Sequence, residues 1–136
     1  MSAISITAAS VLKSANGQAQ IGTIAAGVTV TQGQALYLTA LNTLGLADAN
    51  GTSPANSFAG MSLSAGGPGQ PVAYLPRDTA YVSGGTLTVG PVYLSVTPGG
   101  ITQTLADLVT GSTVIVLGAV NTDLTLNLSP VTGGVS

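Results

Sequence analysis

Histidine, cysteine, glutamate and tryptophan are all missing from this chain of 136 residues. Without cysteine there are no disulfides, thiolate metal sites or thiol nucleophiles, and nothing in the sequence records a redox compartment. Without histidine, the side chain that most often moves protons near neutral pH is gone. Charge is scarce in both signs. Lys13 and Arg77 are the only cations and Asp48, Asp78, Asp107 and Asp123 the only acids. Charged residues make up 4% of the chain, against ~25% in an average soluble protein. A basic footprint for nucleic acid is therefore lacking, and no nucleic-acid partner is expected. Long apolar runs are lacking too. The longest, Val114 to Val120, falls far short of the ~20 residues a membrane helix needs, so no membrane partner is expected. Met1-Ser2-Ala3-Ile4-Ser5-Ile6 has neither the basic nor the apolar region of a secretion signal, which points to synthesis in the cytoplasm.

What fills the space is Gly, Ala, Ser, Thr, Asn, Gln and β-branched residues. The length suits one domain with a core that needs no staples. A surface built from hydroxyls and amides repels its neighbours weakly. The expectation is a chain largely covered by partners in an assembly, with a monomer kept soluble by its polar groups as the alternative.

Gly and Pro punctuate the chain every few residues, with alternating β-branched and polar residues between them, which reads as many short strands joined by turns. The fold class expected is all-β, a single-domain antiparallel sandwich or barrel with an extended N-terminal arm. Residues 1–25 form that arm or a hairpin, turning at Asn16-Gly17, a pair suited to type I′ geometry. Strands are expected at 28–31, 35–39, 58–64, 70–75, 86–89, 92–96, 114–120 and 123–128. Asp48-Ala49-Asn50-Gly51 makes a turn whose Asp and Asn take positive φ. One helical turn fits Thr104 to Leu108, capped by Thr104 with Gly111 past its end. The β-rich core, 26–136, holds an internal echo. Thr29-Val30-Thr31-Gln32-Gly33 resembles Thr86-Leu87-Thr88-Val89-Gly90, and Tyr37-Leu38-Thr39 then matches Tyr93-Leu94-Ser95 after a one-residue slip. Ala59-Gly60-Met61-Ser62-Leu63 parallels Leu117-Gly118-Ala119-Val120. Two similar half-units, about 28–75 and 85–128, account for this, as does a shared hairpin grammar.

Motifs for chemistry are weak. Ser10-Val11-Leu12-Lys13 spells S-x-x-K, but that dyad needs a helix, and a strand sends Ser10 and Lys13 to opposite faces. Asp48-Ala49-Asn50-Gly51 opens like a calcium loop whose closing Glu does not exist here. The Thr-x-Thr-x-Gly grammar around Gly33 is similar to lipoyl and biotinyl carrier barrels, but Lys13 lies outside both halves instead of at the hairpin between them. No catalytic residue, cofactor or metal is expected. Arg77-Asp78 is the only adjacent pair of opposite charges. It reads either as an exposed loop pair worth ~0–1 kcal/mol or as an interface contact using the arginine fork. The aromatics Tyr37, Phe58, Tyr74, Tyr81 and Tyr93 read as core.

Four stretches in order give the chain a likeness. They are Ile4-Ser5-Ile6-Thr7-Ala8-Ala9, Gly27-Val28-Thr29-Val30-Thr31-Gln32-Gly33-Gln34, Leu46-Ala47-Asp48-Ala49, and Tyr93-Leu94-Ser95-Val96-Thr97-Pro98-Gly99-Gly100-Ile101. Together they resemble the small capsid decoration, or cement, proteins of tailed bacteriophages, and the likeness spans nearly the whole chain. It implies a β-rich structural protein on the exterior of an icosahedral virion shell. Such proteins bind the major capsid protein where capsomers meet, as homotrimers, and brace the shell against internal DNA pressure. The arm is then expected to reach a neighbouring subunit, with Ile4 and Ile6 filling pockets beside an added strand, and Arg77 and Asp78 to be further contacts. A competing reading is a phage tail, fibre or baseplate module that binds a host glycan, with Tyr81 beside Arg77 and Asp78 as its platform. A bacterial surface-layer or adhesin domain comes third, disfavoured by the missing export signal, and an enzyme last.

Overall fold

The computed structural model describes residues 4, 6, 11, 24–52, 54–104, 108, 111–122 and 124–135. These form nine strands in two antiparallel sheets, and none of the described residues is helical. The strands are β1 (Ala35–Leu38), β2 (Leu44–Leu46), β3 (Gly60–Ser62), β4 (Tyr74–Leu75), β5 (Asp78–Tyr81), β6 (Gly90–Leu94), β7 (Ile101–Thr102), β8 (Thr113–Val120) and β9 (Leu126–Val135). The all-β reading with short strands holds. One sheet has the order β2-β1-β3-β4 and the other β5-β9-β8-β6-β7.

The two sheets share a core. Ala35, Met61 and Leu75 from the first meet Val92, Leu94, Ile101, Ile115, Leu117, Leu126 and Leu128 from the second, all buried. Alternation along each strand explains who takes part, since successive side chains leave opposite faces. Leu36, one residue on from Ala35, packs on the other face of the first sheet with Ala26, Val30, Leu44 and Val72 in a smaller cluster. The segment before β1 covers that face through the backbone bridges Ala25 to Pro71, Ala26 to Leu44 and Val30 to Gly66. Backbone bonds around Ala47–Ala49 lace the sheets together. Gly99 N–H donates to Ala47 O (2.8 Å), Ala49 N–H to Ser95 O (3.0 Å) and Thr113 N–H to Ala49 O (2.8 Å).

Several local expectations change. The strand expected at 86–89 does not form. A side chain holds that backbone instead: Gln103 Oε1 accepts from Thr88 N–H (2.9 Å) and its Nε2 donates to Thr88 O (2.8 Å). Of 28–31, only Val30 makes a bridge. Asp48 and Asn50 keep negative φ, because Asn42 and Leu124 are the only described non-glycine residues with positive φ. The turn is held by Asn50 N–H donating to Asp48 Oδ1 (3.0 Å), which needs no left-handed residue. β9 runs past Leu128, where the expected strand ended, and on through Pro130. The chain survives there by bulging: Val116 pairs with Val131 and Gly118 with Leu128, so Ser129 and Pro130 together oppose Leu117. A bulge is one of the few places a strand tolerates proline. Asn16-Gly17, Ser10, Lys13 and most of Thr104 to Leu108 lie outside the described residues.

Candidate functional site

The residues singled out as contacts do not come together. Ile4 and Ile6 are half-buried against the main core of their own chain. Ile4 N–H donates to Ile101 O of β7 (2.9 Å). Gly33, at φ 84°, makes room for this docking, since a Cβ there would lie 2.5 Å from Ile6 Cγ2 and 2.9 Å from Val11 Cγ2. The side chains expected to fill a neighbour's pockets thus already fill one at home.

Arg77 and Asp78 also part company. Asp78 opens β5 and is only 3% exposed, whereas Arg77 is exposed. Asp78 Oδ1 accepts from Ala80 N–H (3.1 Å). The exposed loop pair expected from sequence is corrected, because strand alternation turns one of two neighbours inward. As a surface contact Asp78 drops out, and Arg77 remains.

Tyr81 is fully buried, with no hydrogen-bond partner for its hydroxyl among the described residues. Burial pushes its pKa well above the usual tyrosine value, and the nearby Asp78 carboxylate adds to the shift. Out of contact with solvent, it offers no platform to a sugar, and the proposed Arg77, Asp78 and Tyr81 glycan cluster dissolves. Among the described residues, no three His, Cys, Asp or Glu side chains gather where they could hold a metal.

What the structure does bring together is a cleft of ≈ 320 Å³. Phe58 and Ala59 reach it from the approach to β3, Pro76 and Arg77 from the link between β4 and β5, Ile115 from β8 and Pro130 from β9. Its origin lies in the backbone. The ladder between β5 and β9 reaches Asp78 opposite Leu128. Continuing it would need Pro76 and Pro130, and neither has an N–H to give. The ladder stops, and the space beyond is the cleft. Arg77 lies along it with one nitrogen donating to Ser129 Oγ (3.2 Å) on the bulge. Ile115, 2% exposed, is an apolar part of the wall. The arrangement has one cationic fork beside a wall that is about half apolar, with Ser57 also lining it, and no nucleophile paired with a base. Its chemistry is that of holding a group. Sequence reasoning found Arg77 as half of the only adjacent pair of opposite charges. Phe58, Pro76, Ile115 and Pro130 escaped it because only the sheet register brings them together.

Comparison with known protein families, with characterised proteins and with solved structures finds no match to this chain.

Proposed function

We propose that the protein is a structural subunit of a virion, a capsid decoration protein that binds the outside of an assembled phage head and stabilises it. One observation carries this reading: a surface nearly without charge that nonetheless exposes large apolar side chains. Among the described residues only Asp48, Arg77 and Asp78 are charged, and Asp78 is buried. Meanwhile Leu41 is 86% exposed, Val89 and Val131 61% each and Leu124 55%. Apolar groups left in water with little charge to keep copies apart suit a protein that spends its working life covered. The mechanism is mass action. A subunit that binds the assembled shell and not its parts shifts the balance toward the shell, modestly per site and strongly over many sites.

Purified protein mixed with expanded, undecorated heads tests this. Saturable co-sedimentation in hundreds of copies per particle, with a raised threshold for heat-induced rupture, is the expected result. Light scattering on the free protein is expected to give a trimer. A monomer at every concentration that also leaves shells bare would end the proposal.

A further inference from the structure

The geometry points to the Arg77 cleft as the site that receives an acidic residue flanked by apolar ones from a partner polypeptide; taking that partner to be the shell protein rests on the reading above. Three observations meet here. First, Arg77 is exposed at the cleft, bonded to a neutral hydroxyl, Ser129 Oγ, and to no carboxylate among the described residues. A guanidinium offers five donors in a planar fork that matches a carboxylate with two parallel bonds. Second, the wall beside it is preset and about half apolar, with exposed Ser57 among its polar parts. Half-buried Phe58, Pro76 and Pro130 supply its apolar surface, and the two prolines fix the backbone on either side. A carboxylate carried on a hydrophilic body would leave that wall wet. Third, past Leu128 the β5 ladder has ended, so among the described residues no strand covers the outer edge of β9 beside the cleft. An extended segment lying there has backbone groups to meet as well as side-chain space.

Charge selects the kind of occupant. The chain carries a net charge of −2, and Arg77 is the one cation among the described residues. One fork balances one carboxylate. A phosphate dianion or a nucleic-acid backbone would bring more negative charge than this site can meet. The occupant is therefore a Glu or Asp side chain with an apolar neighbour, held by its charge at Arg77 and by its neighbour over Phe58, Pro76 and Pro130.

The test uses the full chain, isotope-labelled, titrated with acetyl-Leu-Glu-Leu-amide, its Gln counterpart and sodium acetate. Saturable shifts at Phe58, Arg77 and Ile115 with the Glu peptide are expected. The Gln peptide should bind roughly tenfold more weakly, as the loss of a charge-assisted pair implies. Acetate should need far higher concentration, since it lacks the apolar part. Arg77→Gln should abolish the Glu preference, and Arg77→Lys, which keeps the charge but not the fork, should fall between. Because Arg77 is exposed, both variants are expected to unfold at the wild-type midpoint. Equal binding of the two peptides, shifts centred elsewhere, or acetate saturating as readily as the peptide would each overturn the site. On expanded heads, Arg77→Gln should bind about tenfold more weakly than wild type with its oligomeric state unchanged. If wild type binds heads and Arg77→Gln binds equally well, the shell is not the occupant. If wild type does not bind heads at all, the decoration reading fails while the peptide titration still decides the cleft.

Discussion

The two sheets are wired alike and filled differently. In the first the pairing runs β2-β1-β3-β4, and in the second β7-β6-β8-β9, with β5 added at the end. Each has an inner strand pair in which an aliphatic residue faces a glycine, Leu36 opposite Gly60 and Val92 opposite Gly118. Yet Leu36 packs in the smaller cluster and Val92 in the shared core. The residues of β1 that face the shared core are Ala35 and Tyr37, and those of β6 are Val92 and Leu94. Matching the faces therefore needs an alignment one residue away from the one that matches Tyr37 with Tyr93. That offset is the slip seen between the sequence echoes. Pairing order follows from turns and close approaches, whereas the buried face follows from side-chain alternation, and a one-residue shift exchanges the faces without disturbing the order. The second sheet also has much longer strands, Thr113–Val120 and Leu126–Val135 against Gly60–Ser62 and Tyr74–Leu75.

The sharpest way to break this parallel is at the two glycines. A Cβ on Gly118 would lie 1.9 Å from Asn127 O, with φ at 149° besides. On Gly60 it would lie 2.7 Å from Tyr74 Cδ2 and 2.9 Å from Leu75 O. Both are close approaches, but the first meets backbone head-on in the long pair and adds conformational strain. Gly118→Ala is expected to cost on the order of 3 kcal/mol or more and Gly60→Ala about 1–3 kcal/mol. Urea unfolding of both variants at constant m-value measures the difference. Equal losses would mean that the glycine contact matters the same in both sheets, whatever the strand length.

The added strand gives the next largest effect. β5 places Tyr81 in the shared core with its hydroxyl unpartnered and Asp78 nearby. An unsatisfied buried hydroxyl costs about 1–3 kcal/mol, so Tyr81→Phe is expected to raise stability at neutral pH by about 1 kcal/mol. The pH dependence carries the sign. In the unfolded chain a tyrosine loses its proton near pH ~10, whereas the folded Tyr81 keeps its proton to higher pH. Above that point the folded state binds more protons than the unfolded one, so stability falls as pH rises. Tyr81→Phe should remove this part of the alkaline loss, read as a smaller drop in urea midpoint between about pH 8 and about pH 11. An unchanged drop would place the titrating group elsewhere.

How much of this was legible follows the same divide between order and face. Apolar runs of β-branched, aliphatic and aromatic residues were readable, so that the strands expected at 35–39, 92–96 and 114–120 overlap Ala35–Leu38, Gly90–Leu94 and Thr113–Val120. Leu44–Leu46 and Ile101–Thr102 were not, because two or three residues carry no period and exist as strands only through their partners. Asp78–Tyr81 was hidden by its own charge, since an Arg-Asp pair reads as loop until pairing with Leu128 turns the Asp inward. Arg77 could be picked out as half of the only adjacent pair of opposite charges. The cleft could not, because it depends on a ladder that fails at two prolines lying 54 positions apart in the chain (130 − 76).

The smallest effect concerns two turns of the same form, one in each sheet. At Thr39–Thr43, Thr39 N–H donates to Thr43 O and Asn42 N–H to Thr39 O; at Asn121–Thr125, Asn121 N–H donates to Thr125 O and Leu124 N–H to Asn121 O. Both turns need a left-handed residue fourth in line, at φ 61° in Asn42 and 63° in Leu124. Asn takes that conformation readily, and Leu does so at a cost of roughly 1 kcal/mol. Leu124→Asn should therefore raise the thermal midpoint by a few degrees and Asn42→Leu lower it by a similar amount. Leu124 is 55% exposed, so burial within its own chain offsets little of that cost. If the strain is retained for a contact made in the assembly, Leu124→Asn will stabilise the free protein while weakening its hold on shells or sister copies. Gaining stability with no loss of binding would separate the strained turn from assembly altogether.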